Sequence, residues 1–142
     1  MTADDVSPSA LTIENRLAAA TVSAQDVADR TNAVERYIAA LNDADLDALA
    51  SLFAEDALVL DPLGSPPIRG VDAVLAFFAH GPFLHRIEAR LDGPVRFAGN
   101  AAAFAFTAHS DGKEMHIIDV FDFNDQGQIE KMVAYWSSAN TT

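Results

Sequence analysis

The chain has 142 residues, of which 50% are hydrophobic and 21% are charged, a composition typical of one globular domain with its own core. The 9 basic and 21 acidic residues give a formal net charge of -12, which argues against nucleic acid or an anionic membrane as a partner, since both attract positive surfaces. Cysteine is absent, which excludes a disulfide framework, a thiol nucleophile and a cysteine-ligated metal.

Residues 1–22 differ in pattern from the rest of the chain and are interpreted as an N-terminal extension of uncertain order. Its first five residues (MTADD) carry no basic segment followed by an apolar stretch, and no apolar run in the sequence has the length of a membrane span. A soluble cytoplasmic protein is therefore expected. Within the extension, residues 11–20 have the composition of a short helix.

Residues 23–142 are predicted to form a single domain that begins with three helices. Ser23, with Asp26 three positions later, is typical of a helix start, and this helix is predicted to run to about residue 42. Apolar residues at i, i+3, i+4 and i+7 mark its buried face: Val34, Tyr37, Ile38 and Leu41. A shorter helix is predicted to begin at Asp45, and a third to span residues 71–79.

Strands dominate the remainder of the chain. A short strand over residues 57–61 is ended by a proline, and beyond residue 82 the periodicity changes from helical to alternating. The further predicted strands cover residues 84–91, 95–98, 102–109, 114–123 and 128–136. Three helices followed by a run of hairpins predict an α+β fold, with one bent antiparallel sheet and the helices packed on its concave face.

Asp119 lies on the predicted apolar face of a strand, because Ile117, Asp119, Phe121 and Phe123 share one face at a period of two. An ionised carboxylate is costly to bury unpaired, so such a group retains a proton and its pKa rises. A neutral acid in an apolar pocket is a hydrogen-bond donor, which suits a developing enolate. The alternative is a shifted register, in which Asp119 faces solvent or pairs with a basic neighbour.

Three further residues are candidates for a pocket. Asp61 ends a strand beside a proline-rich loop, where a side chain can enter a pocket as a general base, although an Asp-Pro pair is also a common turn initiator. Tyr37 on the first long helix is either a core residue or an oxyanion donor. Trp136 is the only tryptophan, and its indole N–H needs a partner, such as a carboxylate, if the ring is buried.

The sequence lacks the patterns typical of metal sites, phosphate-binding loops and nucleophile elbows. The histidines lack metal-ligand spacing and are interpreted as structural or surface residues: His80, His85, His109 and His116. The glycines form no phosphate-binding loop, and no serine has the strand–turn–helix setting of a nucleophile elbow.

Six segments carry a resemblance to a known family: residues 36–41 (RYIAAL), 45–47 (DLD), 52–57 (LFAEDA), 61–70 (DPLGSPPIRG), 118–120 (IDV) and 134–137 (AYWS). In this order and at these separations they resemble the bacterial ketosteroid isomerases, within the nuclear-transport-factor-2-like superfamily of cone-shaped α+β domains. The resemblance covers about residues 35–140. It implies a homodimer, and an isomerase that needs neither cofactor nor metal.

By this resemblance, Asp61 corresponds to the catalytic base, Tyr37 to the oxyanion tyrosine and Asp119 to the protonated oxyanion acid. Ketosteroid isomerase is an established case of a carboxylic acid kept neutral by an apolar site. Trp136 corresponds to a tryptophan that hydrogen-bonds the base in part of the family. The implied activity moves the C=C bond of a 3-oxo-Δ5-steroid into conjugation, so the implied partner is a small apolar ketone.

The apolar residues near these positions are candidate walls of a substrate site, although several must belong to the core instead. They are Val59, Leu63, Phe78, Phe83, Phe104, Phe106, Phe121 and Trp136. The chain also departs from its relatives: Phe53 and Phe78 stand where supporting tyrosines can occur, and Leu60 where an acidic residue is common. Two alternatives remain, a polyketide-cyclase-like enzyme and a non-catalytic module that binds an apolar ligand.

Overall fold

The computed structural model describes residues 7–142, so the expectation drawn from the first five residues lies outside the described part of the chain. The described chain starts with a short 3₁₀ helix (Pro8–Leu11) and helix α1 (Ile13–Ala19), which agrees with the helix predicted over residues 11–20. Neither element contributes a buried residue. Within residues 7–142, no helix combines the length and the apolarity needed to cross a membrane.

The three predicted helices are present, and the first two begin at their predicted capping residues. Helix α2 (Ala24–Asp43) starts after Ser23, whose Oγ accepts a hydrogen bond from the Asp26 backbone N–H at 3.0 Å. Helix α3 (Leu46–Leu52) starts after Asp45, whose Oδ1 accepts from the Ala48 N–H at 3.0 Å. Helix α4 spans Val71–His80. These caps satisfy N–H groups that would otherwise lack a partner in the first turn.

Seven strands form one sheet, in the order β2-β1-β7-β6-β5-β3, with β4 also paired to β5. Their bounds are β1 (Phe53–Leu60), β2 (Ile68–Arg69), β3 (Glu88–Leu91), β4 (Arg96–Ala98), β5 (Ala101–Ser110), β6 (Lys113–Phe123) and β7 (Ile129–Tyr135). The predicted α+β class is therefore confirmed, with the helices preceding or interrupting a bent sheet.

The prediction of a wholly antiparallel sheet is wrong, because β1 runs parallel to β7. All other pairs are antiparallel. The segment from β1 to β7 contains α4 and five intervening strands, and so has the length that a parallel connection requires. Side-chain alternation reports which face a residue occupies but carries no information about the direction of the neighbouring strand.

Some strand boundaries also differ from the predicted ones. Strand β1 begins at Phe53, earlier than expected, and the short β2 was not predicted. The strand expected over residues 84–91 begins only at Glu88, because Pro82 opens a 3₁₀ turn (Pro82–Leu84). Proline fixes its own φ and lacks the N–H that a strand ladder uses, which favours the turn over an earlier strand start.

The alternation predicted for β6 is confirmed: Ile117, Asp119, Phe121 and Phe123 are buried, whereas the intervening Ile118 is 49% exposed. Asp119 pairs with Phe104 of β5 on one side and with Ala134 of β7 on the other. Directly paired residues point to the same face of a sheet. This register therefore places Asp119 in the middle of the concave face, which the helices cover.

Helix α2 is attached to the sheet by two side chains, of which Arg30 donates to the Gly99 carbonyl at 2.9 Å and Asn42 pairs with edge strand β3. The Asn42 Nδ2 donates to the Ala89 carbonyl at 3.0 Å, and the Asn42 Oδ1 accepts from the Ala89 N–H at 2.7 Å. The Asn42 amide thus hydrogen-bonds to the free edge of β3 as a neighbouring strand would. These two hydrogen bonds hold α2 across the concave face. The β5–β6 hairpin closes through Asp111 and Gly112, both at positive φ, as a two-residue Asp-Gly turn does.

Candidate active site

A cavity of about 390 Å³ lies between the helices and the concave face of the sheet. This volume falls within the range typical of small-molecule sites. Its walls are mostly apolar, and the lining residues are Tyr37, Leu41, Asp61, Pro62, Phe77, Phe78, Pro82, Ile87, Phe106, Ala108, Ser110, Met115, Ile117, Asp119, Ala134 and Trp136. Three side chains that can exchange protons, Tyr37, Asp61 and Asp119, therefore border the same apolar space.

Asp119 is 1% exposed, and neither of its carboxyl oxygens has a hydrogen-bond partner among the described residues. Burial raises the pKa of this carboxyl well above its usual range, and the negative charge of Asp61 raises it further. The Tyr37 hydroxyl, close to the carboxyl but outside hydrogen-bonding geometry, lowers this pKa by a smaller amount. The raised pKa favours the protonated form of Asp119, and in that form the carboxyl is a hydrogen-bond donor.

Asp61 follows the last residue of β1 and is held by two neighbouring elements. The Trp136 Nε1–H donates to Asp61 Oδ1 at 2.8 Å, and the backbone N–H of Leu63 donates to the Ala134 carbonyl at 2.9 Å, which attaches the loop to β7. Burial raises the pKa of the Asp61 carboxyl, and the hydrogen bond from Trp136 counteracts part of this rise because it favours the ionised form.

Tyr37 reaches the cavity from α2 and is 2% exposed. Its ring lies edge-on against three phenylalanines, with centroid distances of 5.1 Å to Phe121, 6.1 Å to Phe104 and 6.3 Å to Phe78. Such edge contacts restrict the ring and hold its hydroxyl in one direction. Burial, followed by the nearby charges of Asp119 and Asp61, raises the pKa of the Tyr37 hydroxyl well above its usual value, so the group retains its proton.

The residues predicted as substrate walls fall into three groups. Phe78, Phe106 and Trp136 line the cavity. Val59, Phe104 and Phe121 are core residues outside its lining, and Phe83 packs against Phe78 behind the wall. Leu63 is 54% exposed and borders an outer groove on the other side of the sheet. The core phenylalanines share the concave face with Asp119 but are covered by α2, and hence act on the site through Tyr37.

Several lining residues were not predicted, although the sequence contained a signal for some of them. Ile117 lies two residues before Asp119 on the same strand face, and Leu41 lies one helical turn after Tyr37. Ala108 and Ser110 continue the alternation of Phe106 along β5, which gives the same kind of signal. Phe77 and Pro82 have no comparable pattern, because their positions depend on how α4 packs against the sheet.

Within residues 7–142, no group of three or more His, Asp or Glu side chains is arranged to hold a metal ion. The cavity instead joins one carboxyl that a tryptophan biases towards its ionised form with two protonated groups that can donate hydrogen bonds. This combination suits proton abstraction from a carbon beside a carbonyl, with the resulting oxyanion accepting hydrogen bonds from the two donors.

Comparison with known proteins gives related matches in sequence and in fold. A family model described as "SnoaL-like domain" matches residues 34–132. The chain is 34% identical over 109 residues to a protein named Steroid Delta-isomerase from Nocardioides simplex, an alignment that covers 74% of this chain and 87% of that protein.

Among solved structures, the epoxide hydrolase/cyclase-like enzyme SalBIII, described in pyran ring formation in the polyether salinomycin, is similar with a TM-score of 0.74 and 24% identity, covering 82% of this chain and 97% of that one. RV0760c from Mycobacterium tuberculosis is similar with a TM-score of 0.70 and 22% identity, covering 78% and 95%. At these identities the likeness concerns the fold alone, and it confirms the cone-shaped α+β fold of the nuclear-transport-factor-2-like type.

The family match covers more than half of the chain, and the similarity to the Nocardioides protein extends over most of both sequences. The matched region contains Tyr37, Asp61 and Asp119. The chain is therefore a ketosteroid-isomerase-like member of the SnoaL-like domain family.

Proposed function

We propose that the protein is a steroid Δ-isomerase that moves the C=C bond of a 3-oxo-Δ5-steroid to the Δ4 position, in conjugation with the ketone. The observation that carries the proposal is the meeting of Tyr37, Asp61 and Asp119 around one apolar cavity. The similarity to a protein named Steroid Delta-isomerase supports it. A module that only binds an apolar ligand has no use for an unpaired buried acid, because that acid costs stability.

In the proposed reaction, Asp61 removes the proton from the carbon between the ketone and the alkene. The electrons of that C–H bond form a new double bond, and the ketone oxygen takes up the negative charge of a dienolate. Asp61 then returns the same proton to the carbon two positions further on, and the conjugated enone forms. Since the carboxyl acts first as base and then as acid, the proton balance closes without a cofactor or a metal.

Tyr37 and Asp119 act as the two donors to the dienolate oxygen. Both are buried, and their raised pKa values keep the protons that they need for donation. A hydrogen bond in a site that excludes water is worth more than one in solution, and its benefit grows as negative charge develops on the oxygen. The donors therefore stabilise the transition state more than the ground state.

The remaining walls bind the hydrocarbon skeleton. A flat steroid that covers a few hundred Å² of apolar wall gains several kcal/mol at about 25 cal/mol per Å², before the entropy cost of binding is subtracted. Phe78, Phe106 and Ile117 supply such surface beside the acids. This non-directional contribution brings the ketone to the donors, while the acids determine its orientation.

The substitution Asp61→Asn tests the base. We expect wild-type protein mixed with 5-androstene-3,17-dione to produce the ultraviolet band of a conjugated enone. The variant should be slower by roughly 100-fold to 10,000-fold, the usual contribution of a general base. Asp56→Asn is the matched control, since Asp56 is an exposed acid on the same strand, and its rate should equal that of the wild type.

A flat absorbance trace from folded wild-type protein would contradict the proposed activity, and would favour either a cyclase-like enzyme with another substrate or a binding protein. An Asp61→Asn variant as fast as the wild type would leave the activity in place but remove Asp61 from the role of base.

The substitution Asp119→Leu separates activity from stability. We expect kcat to fall about 100-fold, because one oxyanion donor is lost. We expect the free energy of unfolding at pH 7 to be equal or higher, because an unpartnered buried acid is replaced by an apolar group. The folded-state pKa of Asp119 is raised, so its contribution to stability is present below about pH 3.9 and is lost as the pH rises towards the folded-state pKa.

The stability advantage of Asp119→Leu over the wild type should therefore grow with pH, as measured by urea unfolding at several pH values. The control Asp122→Asn changes an acid on the opposite face of β6 and should alter neither kcat nor this pH dependence. A variant that is less stable at neutral pH and as active as wild type would show that Asp119 has a structural partner and no catalytic role.

Replacing Trp136 by Phe should move the acid limb of the pH profile of kcat/KM. The indole N–H favours ionised Asp61, so its loss raises the pKa of Asp61 further and shifts the limb to higher pH. The plateau above the limb should stay close to that of wild type. Tyr135→Phe, a neighbouring aromatic that is 47% exposed, is the control and should leave the profile unchanged. An unmoved limb, or one at lower pH, would contradict this role of Trp136.

We also propose a homodimer that forms through the outer face of the sheet, where Leu63, Ile118 and Tyr135 are about half exposed. The expected molar mass in sedimentation is twice the 15.2 kDa of the chain. Ile118→Lys should lower it, because a charge would be buried at the contact. Leu84→Lys, at an exposed position outside this face, is the control. A wild-type mass equal to one chain would contradict the dimer.

A further inference from the structure

The polar groups of the cavity are unevenly distributed. Five lining side chains carry hydrogen-bonding groups: Tyr37, Asp61, Ser110, Asp119 and Trp136. Four of them form one cluster, since Trp136 donates to Asp61, and Tyr37, Asp61 and Asp119 lie close enough to shift one another's pKa values. The proposed reaction uses all four. Ser110 has no part in it.

The strand register shows that Ser110 lies at the other end of the cavity. Asp119 is opposite Phe104, whereas Ser110, the last residue of β5, is opposite Lys113 at the start of β6. Six residues separate Asp119 from Lys113 along β6, a distance of roughly 20 Å in a straight strand. The cavity thus follows the concave face from the acidic cluster to the β5–β6 hairpin, and has a polar group at each end.

The surroundings of Ser110 favour binding of a ligand group. The side chain is half-buried, and its hydroxyl has no hydrogen-bond partner among residues 7–142. The other lining residues of this region are apolar: Pro82, Ala108 and Met115. Beside it, the Asp111 carboxylate lies 3.6 Å from His85 Nε2, so the hairpin contacts the segment that carries Pro82. A hydroxyl in such a place has one free donor and two free acceptor positions.

We infer that Ser110 determines specificity by hydrogen-bonding a second oxygen of the substrate, at the ring D end of the steroid. This inference rests on the proposed function, from which it takes the steroid skeleton. Four fused rings built from bonds of about 1.5 Å span roughly 10 Å, and a hydrogen bond of about 3 Å at each end extends this reach to roughly 16 Å. The side chains of Asp119 and Ser110 span the remaining distance between the ligand and the strand backbones.

The substrate class is accordingly a 3-oxo-Δ5-steroid with a hydroxyl or ketone either on ring D or on the first carbons attached to it. One such oxygen orients the skeleton. In the reverse orientation, neither the acidic cluster nor Ser110 would meet a substrate oxygen in a suitable hydrogen-bonding geometry. A steroid with no distal oxygen would bind through its apolar surface alone.

Ligand affinity can be measured through Trp136, since it is the only tryptophan in the chain and lines the cavity. The ligands are conjugated enones, which bind without further reaction: 4-androstene-3,17-dione, 4-pregnene-3,20-dione and 4-androsten-3-one, of which the last has no distal oxygen. Wild-type protein should bind at least one of the diones more tightly than the mono-ketone. Which dione is favoured shows whether the oxygen belongs on ring D or on its side chain.

The substitution Ser110→Ala should weaken binding of the preferred dione about threefold to tenfold, the effect of one neutral hydrogen bond. Binding of 4-androsten-3-one should not change. Ser110→Thr keeps the hydroxyl and should restore most of the preference, whereas a role in packing alone would follow side-chain volume instead. An equal effect of Ser110→Ala on all three ligands, or no wild-type preference for a dione, would overturn the inference.

Kinetics with the corresponding Δ5-steroids separate this inference from the proposed function. Isomerisation that is insensitive to Ser110→Ala for every substrate would leave the activity standing and overturn the role of Ser110. Binding that depends on Ser110, without any isomerisation, would support the role of Ser110 and contradict the proposed activity. If none of the three enones binds, both proposals are wrong.

Discussion

The burial of the Asp119 carboxyl without a partner is the constraint on which the rest of the site depends. The β5–β6–β7 register places this acid in the middle of the concave face, and α2 covers it. Asp119 is 1% exposed and its carboxyl oxygens have no hydrogen-bond partner among residues 7–142, so burial favours its neutral form. A surface aspartate would be a charged acceptor at neutral pH. Burial favours the neutral form of the same side chain here, which is the form that the proposed function uses as a donor.

The two acids of the cavity have different environments. Asp61 receives a hydrogen bond from Trp136 that favours its ionised form, while Asp119 receives none from the part of the chain that the structure describes. Each carboxylate also makes ionisation of a neighbouring acid less favourable, so a charge on Asp61 helps to keep Asp119 protonated. A general base and a neutral donor can therefore occupy the same pocket at the same pH. Burial of Asp119 lowers the stability of the fold. The aromatic packing of Tyr37 against Phe78, Phe104 and Phe121 helps to offset this loss.

The shape of the cavity converts this chemistry into selectivity. Proton-handling groups occupy one end, apolar walls the middle, and Ser110 the other end. Apolar walls give affinity but little orientation, since the hydrophobic effect is non-directional. Under the proposed function, directional hydrogen bonds at the two ends determine which carbon approaches Asp61. Helix α2 matters for this geometry because its position against β3, held by the Asn42 amide, determines how close Tyr37 comes to the sheet.

Local patterns in the sequence determined the helix starts at Ser23 and Asp45, the α+β class and the face of β6 on which Asp119 lies, because each depends on hydrogen bonds or alternation within a few residues. The resemblance to ketosteroid isomerases brought Tyr37, Asp61 and Asp119 together in advance. Only the tertiary structure decided that β1 runs parallel to β7. It also decided which residues of the concave face line the cavity and which pack against α2. Phe104 and Phe106 alternate identically on β5, yet one is core and the other is wall. That distinction depends on where a helix from a distant part of the chain crosses the sheet, and no local pattern encodes such a crossing.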